Sequence, residues 1–240
     1  MANEKNRLST QARASMPVLT FIASLPRLIG AACALASSLS LADIPGYPSN
    51  VEAYDSREVA MLPHYCIYTQ LFRERVPGGN NPAEIKRWHA LMGDTFDALH
   101  HYCWAMMKTN RATILARSPE DRHHYLTDSI HEFDYVIERA PPDFVLLPEI
   151  LTRRGETLLK LGRTSQGVAD LQRAIELKPD YWPPYGSLSD YYKTAGEIAR
   201  ARALLETGIS LSPEPKSLKR RLAELVPATS KPGLAPKAAP

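Results

Sequence analysis

Apolar positions recur every three to four residues along most of the chain, a spacing that predicts helices rather than strands. Over residues 55–75, Val59, Leu62, Cys66, Thr69 and Phe72 keep that spacing. Pro63 falls inside the pattern and is expected to kink the helix or mark its start. The run Val76-Pro77-Gly78-Gly79-Asn80-Asn81 reads as a loop. Asn81 is placed to cap a short helix whose first residue, Pro82, loses nothing by lacking an N–H there. That helix is expected to reach Met92 and stop at Gly93. Two longer helices follow, at about 95–116 and 122–139, separated by Arg117-Ser118-Pro119-Glu120-Asp121. Leu126, Ile130, Phe133 and Ile137 form an apolar stripe on the second, which Pro141-Pro142 ends.

Beyond residue 148 the pattern repeats itself. At a shift of 34 residues, Leu151 falls on Tyr185, Leu158 on Tyr192, Gly162 on Gly196 and Leu171 on Leu205. Ala174 meets Gly208, Ile175 meets Ile209, Leu177 meets Leu211, Pro179 meets Pro213, and Gly155 meets the small Ser189. No gap is needed, and the period is that of a helix–turn–helix repeat. The recurring residue types have physical roles. Gly162 and Gly196 can end a first helix in a conformation that a Cβ resists. Small residues at 155, 174, 189 and 208 let paired helices approach closely, and Leu or Tyr at 151, 158, 171, 185, 192 and 205 fills the space between them. Pro179 and Pro213 stop each second helix. One such pair cannot bury its own apolar face, so neighbours must stack.

On these residues, 148–215 resembles two consecutive tetratricopeptide repeats, 148–181 and 182–215. A divergent helix pair over 94–147 is expected before them. Its Val136-Ile137-Glu138-Arg139-Ala140-Pro141 echoes Ala174-Ile175-Glu176-Leu177-Lys178-Pro179, at an offset of 38 and without the small residues. Residues 216–226 fit a capping helix with Leu218, Leu222 and Leu225 inward and Lys219, Arg220 and Arg221 in water. The expected fold class is all-α: a solenoid of antiparallel helix pairs with an N-terminal helical extension over 43–93. The Pro-, Ala- and Lys-rich tail 227–240 has nothing to bury and is expected to be disordered.

The resemblance implies a partner, another protein or peptide held on the concave face made by the first helices. It implies Glu149, Thr152, Arg153, Glu156 and Lys160 in one repeat, and Asp190, Lys193 and Thr194 in the next. The alternative for any of these polar residues is a solvated helix face. Some family members clamp the acidic tails of chaperones with Lys and Asn. Thr152 and Glu156 stand at those positions, which disfavours such tails.

Charge and composition narrow the setting. The net charge is +3, and residues 1–42 supply it through Lys5, Arg7, Arg13 and Arg27 against Glu4. Subtracting these from the chain's 29 basic and 26 acidic residues leaves 25 of each. The remainder is neutral, and gives no electrostatic reason to expect nucleic acid or an anionic membrane. The basic start leads into the apolar run Leu28–Ala36 and ends on Ser40-Leu41-Ala42, which reads as an export signal cut before Asp43. Met16 is an alternative start. An uncleaved membrane anchor over 18–42 is the rival, although Pro26-Arg27 interrupts it. A cytosolic chain remains a third option. The expected location is periplasmic or secreted, with membrane attachment only through such an anchor.

Export would put Cys66 and Cys103 in an oxidising compartment, where an even number favours a disulfide. Closing that loop would contribute roughly 3–4 kcal/mol in the chain-entropy model. Buried free thiols and a metal site remain open. All seven histidines lie between 64 and 131, and His-Tyr-Cys occurs at 64–66 and 101–103. A metal site would use His64, Cys66, His100 and Cys103, four ligands of the kind zinc prefers. His100 and Cys103 share a helix face, whereas His101 and Cys103 do not. The spacing matches no zinc or haem signature, so no cofactor is expected. His124 and His131 read as surface or interface residues. The chain has no Gly-x-Ser-x-Gly, no His-Glu-x-x-His and no Walker-type Gly-Lys-Ser/Thr. The expectation is a non-catalytic interaction module, an adaptor in assembly of an envelope or export complex. The alternative is a metal- or cofactor-handling protein using residues 64–131.

Overall fold

A computed structural model describes residues 54–212 and 215–225. The expected export signal, the first residues of the extension (43–53), the Pro213 stop and the tail therefore lie outside the described residues. The rest is helical, with no strand among the described residues.

The repeat region shows most directly how residue type sets geometry. Helix α6 (Leu147–Lys160) and helix α7 (Thr164–Leu177) pack antiparallel, as do α8 (Pro183–Thr194) and α9 (Ile198–Leu211). Gly162 and Gly196 take φ 74° and 81°, the left-handed region expected of them. Each lets the next amide turn back: Arg163 N donates to the Leu158 carbonyl at 2.9 Å and Glu197 N to the Tyr192 carbonyl at 2.8 Å. The orphan carbonyls at each helix end are thereby satisfied.

Inside the first pair the backbones nearly touch. A Cβ on Gly155 would stand 2.9 Å from the Gly167 carbonyl oxygen, and one on Gly167 would stand 2.8 Å from that of Gly155. Gly167 is a further small position, and a 34-residue shift places it on Ala201, fully buried in the second pair. Leu171, Ala174, Leu205 and Leu218 have no exposure.

Helix α10 (Lys216–Glu224) closes the last pair. Its Leu218 lies where a Cβ on Gly208 would fall, 2.7 Å from Cδ1. Leu225 is buried and Leu222 packs partly against the same cluster. Lys219 and Arg220 are exposed, but Arg221 is not simply in water: its Nε donates to the Asp190 carboxylate at 3.0 Å.

Before these repeats, helices α4 (Leu99–Ile114) and α5 (Pro119–Ile137) pack against each other, where a divergent repeat over 94–147 is expected. The boundaries differ in two places. Residues 93–98 wind as a 3₁₀ turn before α4, and Ser118 caps α5 by accepting from Asp121 N at 3.0 Å, so Pro119 is already helical. Ala105 and Ser129 are fully buried small residues on the two helices.

The N-terminal extension departs further from expectation. The single helix over 55–75 is three pieces: α1 (Ser56–Ala60), a 3₁₀ turn (His64–Tyr68) and α2 (Phe72–Arg75). Pro63 cannot donate to α1 and starts the 3₁₀ turn instead. Leu71 takes φ 69°, a backbone turn that no helix continues through. Helix α3 (Pro82–Met92) is as expected, with Asn81 accepting from Ala83 N and Glu84 N, and Gly93 after it. The extension is continuous with the repeat core, since Tyr65, Cys66, Tyr68 and Phe72 share one cluster with Leu99, Tyr102, Cys103, Met106 and Leu158.

Ion pairs, one buried and one half-buried, fasten these layers. Glu58 on α1 takes Arg111 of α4 in two bonds of 2.6 and 2.8 Å, with both residues buried. Arg154 on α6 holds Asp170 of α7 at 2.7 and 2.8 Å and Asp134 of α5 at 2.6 Å.

Two outcomes follow in urea denaturation. Gly155→Ala forces a methyl onto a facing backbone oxygen and is expected to cost about 2–3 kcal/mol, against about 1–2 kcal/mol for Gly162→Ala at its left-handed turn. Glu58→Ala removes the bidentate partner of a buried guanidinium and is expected to cost about 3 kcal/mol.

Candidate functional site

The first helices α6 and α8 present their polar stripes to one groove, with α10 at its far end. Between them lies an open depression of about 510 Å³. Glu156, Leu159 and Lys160 of α6, Ser187, Asp190, Tyr191 and Thr194 of α8, and Arg221 of α10 line it. Four of the expected partner-binding residues are therefore brought together: Glu156, Lys160, Asp190 and Thr194.

The α6 stripe is knitted into both neighbouring first helices. Tyr102 of α4 donates its hydroxyl to Glu149 at 2.8 Å, and Arg153 Nε donates to the same oxygen at 3.1 Å. On the other side, Ser187 of α8 donates to Glu156 at 2.5 Å. Burial beside the Glu149 carboxylate pushes the Tyr181 phenol above its usual range and keeps it a neutral donor. Lys193 sits at the edge of the groove, 3.8 Å from Glu224 of α10. Thr194 spends its hydroxyl on the Asp190 carbonyl at 2.9 Å.

Thr152 does not belong to the accessible set. It is only 2% exposed, and its hydroxyl donates to the Pro148 carbonyl at 2.7 Å. Its helical spacing matches the polar stripe, but it is buried. Conversely, Ser187, Tyr191, Leu159 and Arg221 line the groove although the family resemblance does not point to them. Ser187 is within reach of the sequence, because a 34-residue shift sets it on Arg153.

The His/Cys-rich region is organised differently from a metal centre. The Cys66 and Cys103 sulfurs are bonded to each other, with Cα atoms 5.8 Å apart and both side chains fully buried. His64 meets the Tyr68 hydroxyl at 3.4 Å, and His100 directs Nδ1 at the Asp97 carbonyl at 2.9 Å. The four alternative ligands are thus not assembled, and no group of three or more His, Cys, Asp or Glu among the described residues could hold an ion. His101 instead joins a network with Glu132 at 2.5 Å, which also takes Lys108 at 2.5 Å. Burial works against the Glu132 charge, but the bonds from His101 and Lys108 outweigh it and lower its pKa. A second depression of about 610 Å³ lies nearby, between Asp97, His100, Tyr135 and Arg139. Within it Arg139 stacks on the Tyr135 ring at 3.5 Å, and His100 bonds the Asp97 backbone carbonyl.

No helix among the described residues is long and apolar enough to cross a membrane.

Burial, and then the neighbouring His101, lower the His100 pKa to about 4. Its folded value lies below the unfolded one, near 6.5, so the unfolded chain takes up the proton first as pH falls. Stability from this group is full above about pH 6.5 and is lost on acidification towards pH 4, by up to about 3 kcal/mol. His100→Asn is expected to flatten urea midpoints measured across that window.

Parts of the chain are similar to known proteins. The tetratricopeptide repeat family model matches residues 148–181. The Hsp70-Hsp90 organizing protein of Triticum aestivum is 33% identical over 108 residues, which is 45% of this chain and 17% of that protein. The chain therefore spans 17% of that relative's length. Among solved structures, a thermophilic TPR protein of Thermus thermophilus aligns with a TM-score of 0.48 at 17% identity, covering 65% of this chain and 87% of its own.

Proposed function

We propose, for a chain built on tetratricopeptide repeats, that the groove of α6 and α8 docks another protein and that the molecule works as an adaptor rather than an enzyme. Repeats of this type serve as protein-interaction scaffolds. The single observation that carries the reading is the α6 stripe from Glu149 to Lys160, which borders an open depression of about 510 Å³ and is held in place by hydroxyls from both neighbouring helices. Side chains fixed in advance lose less freedom on binding. His100, whose pKa burial depresses, and Glu132, held between His101 and Lys108, serve structural bonds.

The adaptor role is proposed for an envelope or export assembly in the periplasm or outside the cell. Support comes from the basic segment, the apolar run 28–36 and the Ser40-Leu41-Ala42 site, together with a cysteine pair suited to an oxidising compartment. The role in the name of the Triticum aestivum protein is not transferred. The match covers 17% of that protein, and the clamp positions hold a buried Thr152 and an acidic Glu156.

Co-purification with tagged protein from the native host tests docking. Arg153→Glu with Lys160→Glu is expected to weaken capture at least about tenfold, and a partner that stays bound to this variant would overturn the groove assignment. N-terminal sequencing should begin at Asp43, and the intact mass should be about 2 Da below the fully reduced form. An unprocessed chain in which Cys66 and Cys103 are both free thiols would remove the export reading.

A further inference from the structure

The groove's charges do not all cancel one another. Along α6 they alternate in sign at one-turn steps: Glu149, Arg153, Glu156, Lys160. Glu149 and Arg153 pair at 3.1 Å, Asp190 is taken by Arg221 at 3.0 Å, and Lys193 by Glu224 at 3.8 Å. Glu156 and Lys160 are left over. Arg153 acts on Glu156 only through space. The bonded partner of Glu156 is the neutral Ser187 hydroxyl, which turns the carboxylate towards α8. Among the described residues, neither Glu156 nor Lys160 forms an ion pair. Both line the same depression, whose apolar wall is Leu159 and Tyr191.

Two opposite charges one turn apart on a helix face stand about 5–6 Å from each other at Cβ. In an extended chain, side chains on one side recur every two residues, about 6.6 Å. The two spacings agree within the reach of long side chains. We propose that this groove takes an extended peptide segment carrying one basic and one acidic side chain two residues apart. The basic group meets Glu156 and the acidic group meets Lys160. The aliphatic stems of the peptide's two charged side chains lie against Leu159 and Tyr191, and the intervening side chain points away from the groove. A segment with two like charges satisfies one groove charge and repels the other, so the arrangement selects against polyacidic and polybasic partners. The inference rests on the docking role above and adds the chemistry of what docks.

Fluorescence polarisation on the full chain tests it with four labelled peptides. They share one uncharged Gly/Ser frame and carry Lys-Ala-Glu, Glu-Ala-Lys, Glu-Ala-Glu or Lys-Ala-Lys at the centre. One of the two mixed orders is expected to bind at least about tenfold tighter than either like-charged peptide, with an affinity that falls as salt rises. Glu156→Lys combined with Lys160→Glu should invert which mixed order is preferred, with helix content by circular dichroism unchanged. The inference is overturned if like-charged peptides bind equally well, if the preference ignores the exchange, or if no peptide binds. Tyr191→Ala, assayed against the co-purified partner, separates the two levels. Loss of the partner alongside any of those outcomes leaves docking in place and removes only the charge pattern. Retention of the partner removes both.

Discussion

Two helix backbones meeting at Gly155 and Gly167 set the terms for everything else in this molecule. With no Cβ on either side, α6 and α7 approach until the carbonyl of each nearly fills the other's missing side chain. Such a pair is only one helix layer thick, and Leu171 and Ala174 can be removed from water only with the help of neighbours. Stacking is therefore compulsory, and stacking brings the first helices side by side. The groove is a by-product of that necessity. Its polar stripe is what remains on each first helix after the buried face has been used.

Charge then fixes which layer sits on which. Arg154 reaches both the helix it pairs with and the helix of the preceding unit, through Asp170 and Asp134. Glu58 and Arg111 do the same for the first short helix. Ion pairs of this kind contribute little net stability, since desolvation or solvent screening offsets much of the attraction. Their effect is on register, because a slipped layer would leave a guanidinium without its carboxylates.

Periodicity makes the helix pairs legible, down to the turn glycines and the Asn81 cap. These features are local, and each residue type follows from a backbone need within a few positions. Features that depend on tertiary direction are not legible. Thr152 carries a polar side chain at the right helical interval, yet its hydroxyl is satisfied by the turn below it and it is buried. Arg221 sits among charged neighbours on a strongly amphipathic helix, but Asp190 recruits it across the fold. The extension breaks where Pro63 and Leu71 each interrupt a helix, and no spacing rule foresees Leu71 at positive φ. Glu58 and Arg111 are 53 residues apart, and nothing along the chain marks them as partners. Ser187 and Gly167 are recoverable, since the repeat shift maps them onto Arg153 and Ala201.

Leu218 occupies the pocket opened by Gly208, and this contact bears on how large an assembly can become. Repeat arrays lengthen by offering a bare apolar end to the next unit, and an end left bare can just as well recruit another molecule of the same kind. Here a nine-residue helix of the chain itself fills that end. The apolar face that α8 and α9 would otherwise present there is spent on Leu218 and Leu225, inside the same chain.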